Sequence, residues 1–207
     1  MTGRGIRGLA LTACLTGFSL AGCATGDDMT HPTVTLETSL GDIRIEMLIE
    51  EAPVSTANFL SYVDAGFYEG LVFHRVIPGF MVQSGGLEAD LAERAATGNP
   101  IINESDNGLG NLRGTLAMAR MQAPHSASSQ FFINVVDNPR LDYGALPGGW
   151  GYAVFGRVIE GMDVVDEIAS RPTGSLGMYQ DVPLEPIVIR KARRAADVRA
   201  VAEESAD

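Results

Sequence analysis

The chain has 207 residues, 45% of them apolar and 20% charged, with a formal net charge of −11. That length makes one domain the default, and the composition is ordinary for a globular protein. The acidic balance, with no basic stripe, argues against a nucleic-acid partner, and no repeat of about 20–50 residues marks a solenoid.

In chain order, the first segment reads as a targeting signal. Arg4 and Arg7 form a positive start, and residues 8–20 form an apolar run of 13 residues. That run fits the ~7–15 residues of a secretory signal and falls short of the ~20 needed to span a bilayer. Leu20-Ala21-Gly22-Cys23 closes it. Small residues before a cysteine resemble the lipobox of bacterial lipoproteins, in which the cysteine is acylated and becomes the new N-terminus. Leu11-Thr12-Ala13-Cys14 fits the same pattern with fewer apolar residues before it, so Cys23 is preferred; an ordinary signal peptide ending near a cysteine is the alternative. Cleavage before Cys23 removes Cys14 and leaves one thiol, so no intramolecular disulfide forms, and acylation protects that thiol in an oxidising compartment. The expected organisation is a leader over 1–22, a lipidated polar tether over 23–32, a folded domain over 33–193 and an acidic, Ala-rich tail over 194–207. Ala24 after Cys23 resembles the sorting signal for the outer membrane of a diderm cell, with the inner membrane left open.

Within the domain, Val34-Thr35-Leu36-Glu37-Thr38 and Ile43-Arg44-Ile45-Glu46-Met47 both alternate apolar and polar residues, which predicts a β-hairpin with one buried face. Pro53 opens a predicted helix in which Val54, Ala57, Leu60 and Tyr62-Val63 recur at helical spacing, with Gly66 as its stop. Strands are predicted over 71–77, 80–83, 115–119, 130–135, 152–158 and 186–190, with a second helix over 162–169. Residues 85–112, rich in Gly and Asn, read as a long surface loop. Many short strands plus two helices predict a mainly β, closed antiparallel barrel.

The stretch Phe73-His74-Arg75-Val76-Ile77-Pro78-Gly79-Phe80-Met81-Val82-Gln83-Ser84-Gly85-Gly86 is the most informative. It puts an arginine, an amide and several large apolar side chains within about a dozen residues. Such a mixture suits a site that grips a small apolar ring and touches its amide with a donor, and proline is the residue whose ring includes its amide nitrogen. His74 follows an extended register that turns it away from Arg75, so it reads as structural. The three histidines have no metal-ligand spacing, and neither a metal nor a cofactor is expected.

This stretch resembles the signature of the cyclophilins, the cyclosporin-binding peptidyl-prolyl cis/trans isomerases. Gly114-Thr115-Leu116-Ala117-Met118-Ala119-Arg120, Ser129-Gln130-Phe131-Phe132-Ile133-Asn134 and Gly151-Tyr152-Ala153-Val154-Phe155-Gly156-Arg157-Val158 are similar to further family blocks in the same order. The wording is closest to short bacterial members. The resemblance implies an eight-stranded barrel capped by two helices and rotation about Xaa–Pro bonds. It implies Arg75 as the catalytic donor, and Phe80, Met81, Phe132 and Leu141 as the proline pocket. Gln83, Gln130 and the main chain of Arg120 would hold the substrate backbone, with Ala119 and Met121 shaping a neighbouring subsite and Tyr152 lining the pocket.

Three positions depart from the eukaryotic pattern. Arg140 stands where those members usually carry a tryptophan important for cyclosporin, Tyr152 where they carry a histidine, and Ser84 where they carry a glycine. The expectation is a monomer that acts on proline-containing polypeptides, anchored to the membrane through Cys23, with weak cyclosporin binding. A non-catalytic module holding proline segments is the alternative.

Overall fold

A computed structural model describes residues 31–195. The leader, Cys23, most of the tether and most of the tail therefore lie outside the described residues.

The predicted hairpin forms as β1 (Thr33–Thr38) and β2 (Asp42–Met47). Its register pairs Val34 with Ile45 and Leu36 with Ile43, so the alternating apolar side chains all enter the core. Thr38 fastens the turn, its hydroxyl donating to the Gly41 carbonyl at 2.6 Å.

Helix α1 (Pro53–Asp64) begins on proline, whose fixed φ suits the first helical turn. Ala52 at its N-cap offers no side-chain acceptor. Glu104, fifty residues away, serves instead: its carboxylate accepts the Val54 N–H at 3.0 Å and the Ser55 N–H at 2.7 Å. The helix buries Phe59, Leu60, Tyr62 and Val63, and Gly66 follows its end with φ of 66°.

The remaining strands are β3 (Arg75–Ile77), β4 (Met81–Ser84), β5 (Thr115–Met118), β6 (Phe131–Asn134) and β7 (Val154–Glu160). After helix α2 (Met162–Ser170) come β8 (Thr173–Leu176), β9 (Tyr179–Pro183) and β10 (Ile189–Arg194). The β8–β9 hairpin forms a separate two-stranded sheet that sequence patterning did not reveal. Residues 85–112 carry no regular strand, but they are not simply superficial: Leu87, Asn103, Ser105 and Asn111 are buried.

Eight strands make one antiparallel sheet in the order β10-β1-β2-β7-β5-β6-β4-β3. The closed barrel expected from the sequence is not formed, because the edge strands β3 and β10 do not pair. Residues 71–74 leave the ladder before β3 begins, and β10 starts later than its apolar run suggests. The gap is spanned instead by a single antiparallel bridge, Val72 to Val188. The Phe73 N–H donates to the Ile187 carbonyl at 2.9 Å, and the Ile189 N–H to the Leu71 carbonyl at 2.8 Å.

The strands sort their side chains onto two faces. Val82, Leu116, Phe131 and Ile133 join the main core, where Phe59, Tyr68, Phe131 and Phe155 stack with centroid separations of 5.1–5.5 Å. Their immediate neighbours Met81, Ala117 and Phe132 point the other way and build a second apolar cluster with Leu48, Leu141 and Val154. Successive residues of a strand face opposite sides, so one sheet carries both clusters.

Candidate active site

The second cluster sits on the outer face of β3, β4, β6 and β5. Register fixes its composition. Arg75 lies opposite Gln83, Gln83 opposite Phe132, and Phe132 opposite Ala117. These four residues form a single cross-strand row. Two strand spacings, about 10 Å, separate the backbone of Arg75 from that of Phe132. An arginine side chain spans most of that distance.

Met81 and Phe132 are nearly covered and form an apolar floor, with Leu141 beside them. Ile77, Phe80, Ala119 and Tyr152 pack around the cluster and are partly open. The Tyr152 ring meets Phe132 edge-on at 5.5 Å. Leu141 arrives on a one-turn 3-10 helix, Pro139–Leu141, which Asn138 secures. The buried Asn138 amide donates to the Phe80 carbonyl at 3.0 Å and to the Asn134 side chain at 2.7 Å. It thereby fixes both Phe80 and Leu141 relative to the sheet.

Beside the floor lies a polar wall. The Gln83 Nε2 donates to Gln130 Oε1 at 2.9 Å. The close approach depends on two glycines. A Cβ at Gly86 would collide with the Gln130 amide, and one at Gly85, whose φ is 92°, would come within 2.6 Å of the Ser129 carbonyl oxygen. The Gly85-Gly86 pair thus lets Gln130 lie flat against β4.

Three guanidinium groups surround the apolar floor on an otherwise acidic molecule. Arg75 is at the rim, its side chain 45% exposed and 3.8 Å from Asp181. Arg140 lies over the Phe80 ring at 4.6 Å, and Arg120 over the Tyr152 ring at 4.6 Å. The Arg120 side chain also donates to the carbonyls of Trp150 at 2.8 Å and Gly151 at 3.0 Å. It clamps the loop before Tyr152, a role sequence reasoning did not foresee.

Arg75, Phe80, Met81, Gln83, Ala119, Gln130, Phe132, Leu141 and Tyr152 thus gather at one place. Met121 lies two residues beyond Ala119. Its side chain stands out from the surface, 79% exposed. His74 faces inward, 6% exposed, with Nδ1 lacking a hydrogen-bond partner. Burial lowers its pKa to about 4, helped by the neighbouring Arg75 charge and opposed by the Val72 carbonyl and Gln130. Ser84 is also structural, its hydroxyl donating to the Val72 carbonyl at 2.9 Å. Sequence reasoning missed Ala117, Asn138 and Asp181. Strand alternation from Phe132 could have found Ala117; Asp181 lies in the unrecognised hairpin and carried no signal.

Chemically, the arrangement offers an apolar socket, a hydrogen-bonding wall and a permanently charged donor at its edge, with no nucleophile beside a base.

Residues 33–194 match the family described as cyclophilin type peptidyl-prolyl cis-trans isomerase/CLD. Over 193 residues the chain is 50% identical to peptidyl-prolyl cis-trans isomerase A of Dickeya dadantii (strain 3937), covering 93% of this chain and 98% of that one. It is 55% identical over 157 residues to peptidyl-prolyl cis-trans isomerase B of Escherichia coli (strain K12), covering 75% and 95%. The crystal structure of a Cryptosporidium parvum cyclophilin type peptidyl-prolyl cis-trans isomerase superimposes with a TM-score of 0.67 at 25% identity, covering 80% of this chain and 98% of that one. The same enzyme in the presence of the dipeptide Ala-Pro gives a TM-score of 0.66 at 25% identity, with 80% and 99% covered. By sequence across the whole folded region, and by fold, the chain belongs to the cyclophilin-type peptidyl-prolyl cis-trans isomerases.

Proposed function

We propose that Arg75 is the catalytic donor of this isomerase and that Phe80, Met81, Phe132, Leu141 and Tyr152 hold the proline ring of an exported polypeptide. The observation that carries this reading is the cross-strand row Arg75–Gln83–Phe132, which sets a cation beside an apolar floor.

The amide C–N bond resists rotation by about 18–20 kcal/mol because of resonance. In the twisted transition state that resonance is lost, and the nitrogen recovers its lone pair. A donor aimed at this nitrogen binds the twisted state and finds little to bind in the planar one. That difference is what lowers the barrier. A guanidinium suits this role because it stays protonated at every working pH and no proton is transferred. The Gln83–Gln130 pair and the main chain of Arg120 hold the flanking peptide, so that the ring is fixed while the preceding carbonyl swings. The solved relative studied with Ala-Pro supports that substrate class here. Arg140 over Phe80, where eukaryotic members carry tryptophan, supports weak cyclosporin binding.

The test is turnover of a short Ala-Pro peptide by wild type and Arg75→Ala. Loss of one pre-organised donor costs about 100- to 1,000-fold in kcat, so the variant is expected to fall that far while remaining folded. Retained turnover rejects the donor assignment.

The leader and Leu20-Ala21-Gly22-Cys23 support export and a lipid anchor on Cys23. The mass of the mature N-terminal peptide checks this: an acylated Cys23 is expected, and an unmodified cysteine rejects it.

A further inference from the structure

We propose that Asp181 is a positioning residue for Arg75, a role that rests on the assignment of Arg75 as the donor. Two independent observations meet at this side chain.

The first is local geometry. In the β8–β9 hairpin, Gly174 pairs with Val182 but Leu176 pairs with Tyr179. Gln180 and Asp181 therefore stand opposite Ser175 alone, which is a β-bulge. Bulges re-aim side chains and recur beside active sites. Asp181 has φ of 58°, in the left-handed region that glycine occupies without strain and that, among other residues, aspartate and asparagine tolerate best. A non-glycine residue held in this region points to a use for its side chain.

The second is where that side chain arrives. Asp181 Oδ2 lies 3.8 Å from the Arg75 Nε. Among the described residues it is the one carboxylate within ion-pair distance of Arg75. Both side chains are more than 40% exposed, and exposed pairs add little stability. Orientation is therefore the better account of the contact. At 3.8 Å the contact is an ion pair longer than a hydrogen bond; a carboxylate on the Nε side favours one guanidinium pose and leaves its terminal N–H groups free for the prolyl nitrogen. The hairpin adds nothing to the main sheet, yet it lies beside β3 and carries a carboxylate to the strand that bears the donor. Its place in the fold is thereby explained.

Three variants test this in the full chain with an Ala-Pro peptide. Asp181→Asn keeps the shape and removes the charge. Asp181→Gly also removes the charge, and glycine takes φ of 58° freely. Both are expected to lose about 10-fold in kcat, because a misplaced catalytic group costs up to about 100-fold, with KM little changed. Asp181→Gly should melt no lower than wild type. In an Arg75→Lys background, which has no Nε–H, Asp181→Asn should cause no further loss. A merely structural Asp181 predicts the opposite: Asp181→Gly would keep full kcat. If Arg75→Ala is inactive while both Asp181 variants turn over normally, the positioning role alone falls. If Arg75→Ala retains turnover, the donor assignment falls and takes this role with it.

Discussion

At the scale of single residues, neighbours in sequence do different work because the strand turns them to opposite faces. Phe131 enters the main aromatic core and Phe132 the outer cluster. Phe131→Ala is expected to lose about 3–5 kcal/mol of stability as a buried aromatic truncation. Phe132→Leu keeps most of the apolar volume and should cost under about 1.5 kcal/mol while raising KM for proline peptides. Chemical denaturation and peptide kinetics on the two variants check this contrast; equal stability losses would contradict it. His74 and Arg75 divide in the same way. His74 is buried with a pKa of about 4, below its ordinary 6.5. The unfolded chain thus binds a proton between those values while the folded chain does not. Stability is full above about pH 6.5 and is lost as pH falls toward 4, by about 3 kcal/mol in all. Unfolding at pH 7 and pH 4.5 should show this drop, and His74→Gln should flatten it.

At the scale of elements, what was legible depended on contrast along the chain. β1 and β2 alternate cleanly between apolar and polar residues, and α1 has both a proline start and a helical stripe, so each emerged with nearly its observed bounds. The β8–β9 hairpin, with Thr-Gly-Ser-Leu against Tyr-Gln-Asp-Val-Pro, has no such contrast. It lies outside the main sheet and buries little beyond Val182 and Pro183. Asp181 was hidden with it. The residues that gather at the candidate site were legible because Arg75, Phe80, Met81 and Gln83 fall in one motif. The reach of Arg120 to Trp150 and Gly151 is a tertiary event with no local signature. The cap on α1 is similarly non-local. Glu104→Ala leaves the Val54 and Ser55 N–H groups without their acceptor and should destabilise the protein by about 1 kcal/mol. A denaturation midpoint unchanged from wild type would show that water replaces the carboxylate at no cost.

At the scale of the whole molecule, the sheet stops one pairing short of a barrel. Edge strands are hazards for unwanted pairing unless they are covered. Here β9 lies beside β3, and the backbone bonds from Phe73 and Ile189 span the gap to β10. Those amides are expected to exchange hydrogen slowly, whereas Gly177 and Met178 at the hairpin tip should exchange fast. The same construction separates stability from function, with the main core inside the sheet and the site on its outer face. That separation predicts that Arg75 can be replaced without unfolding the protein. The most direct test is exchange spectroscopy on an Ala-Pro peptide with wild type and Arg75→Ala side by side, recording both binding and cis/trans interconversion. We predict that both bind the peptide and that only wild type interconverts it rapidly. Rapid interconversion by a folded Arg75→Ala protein would contradict the central claim.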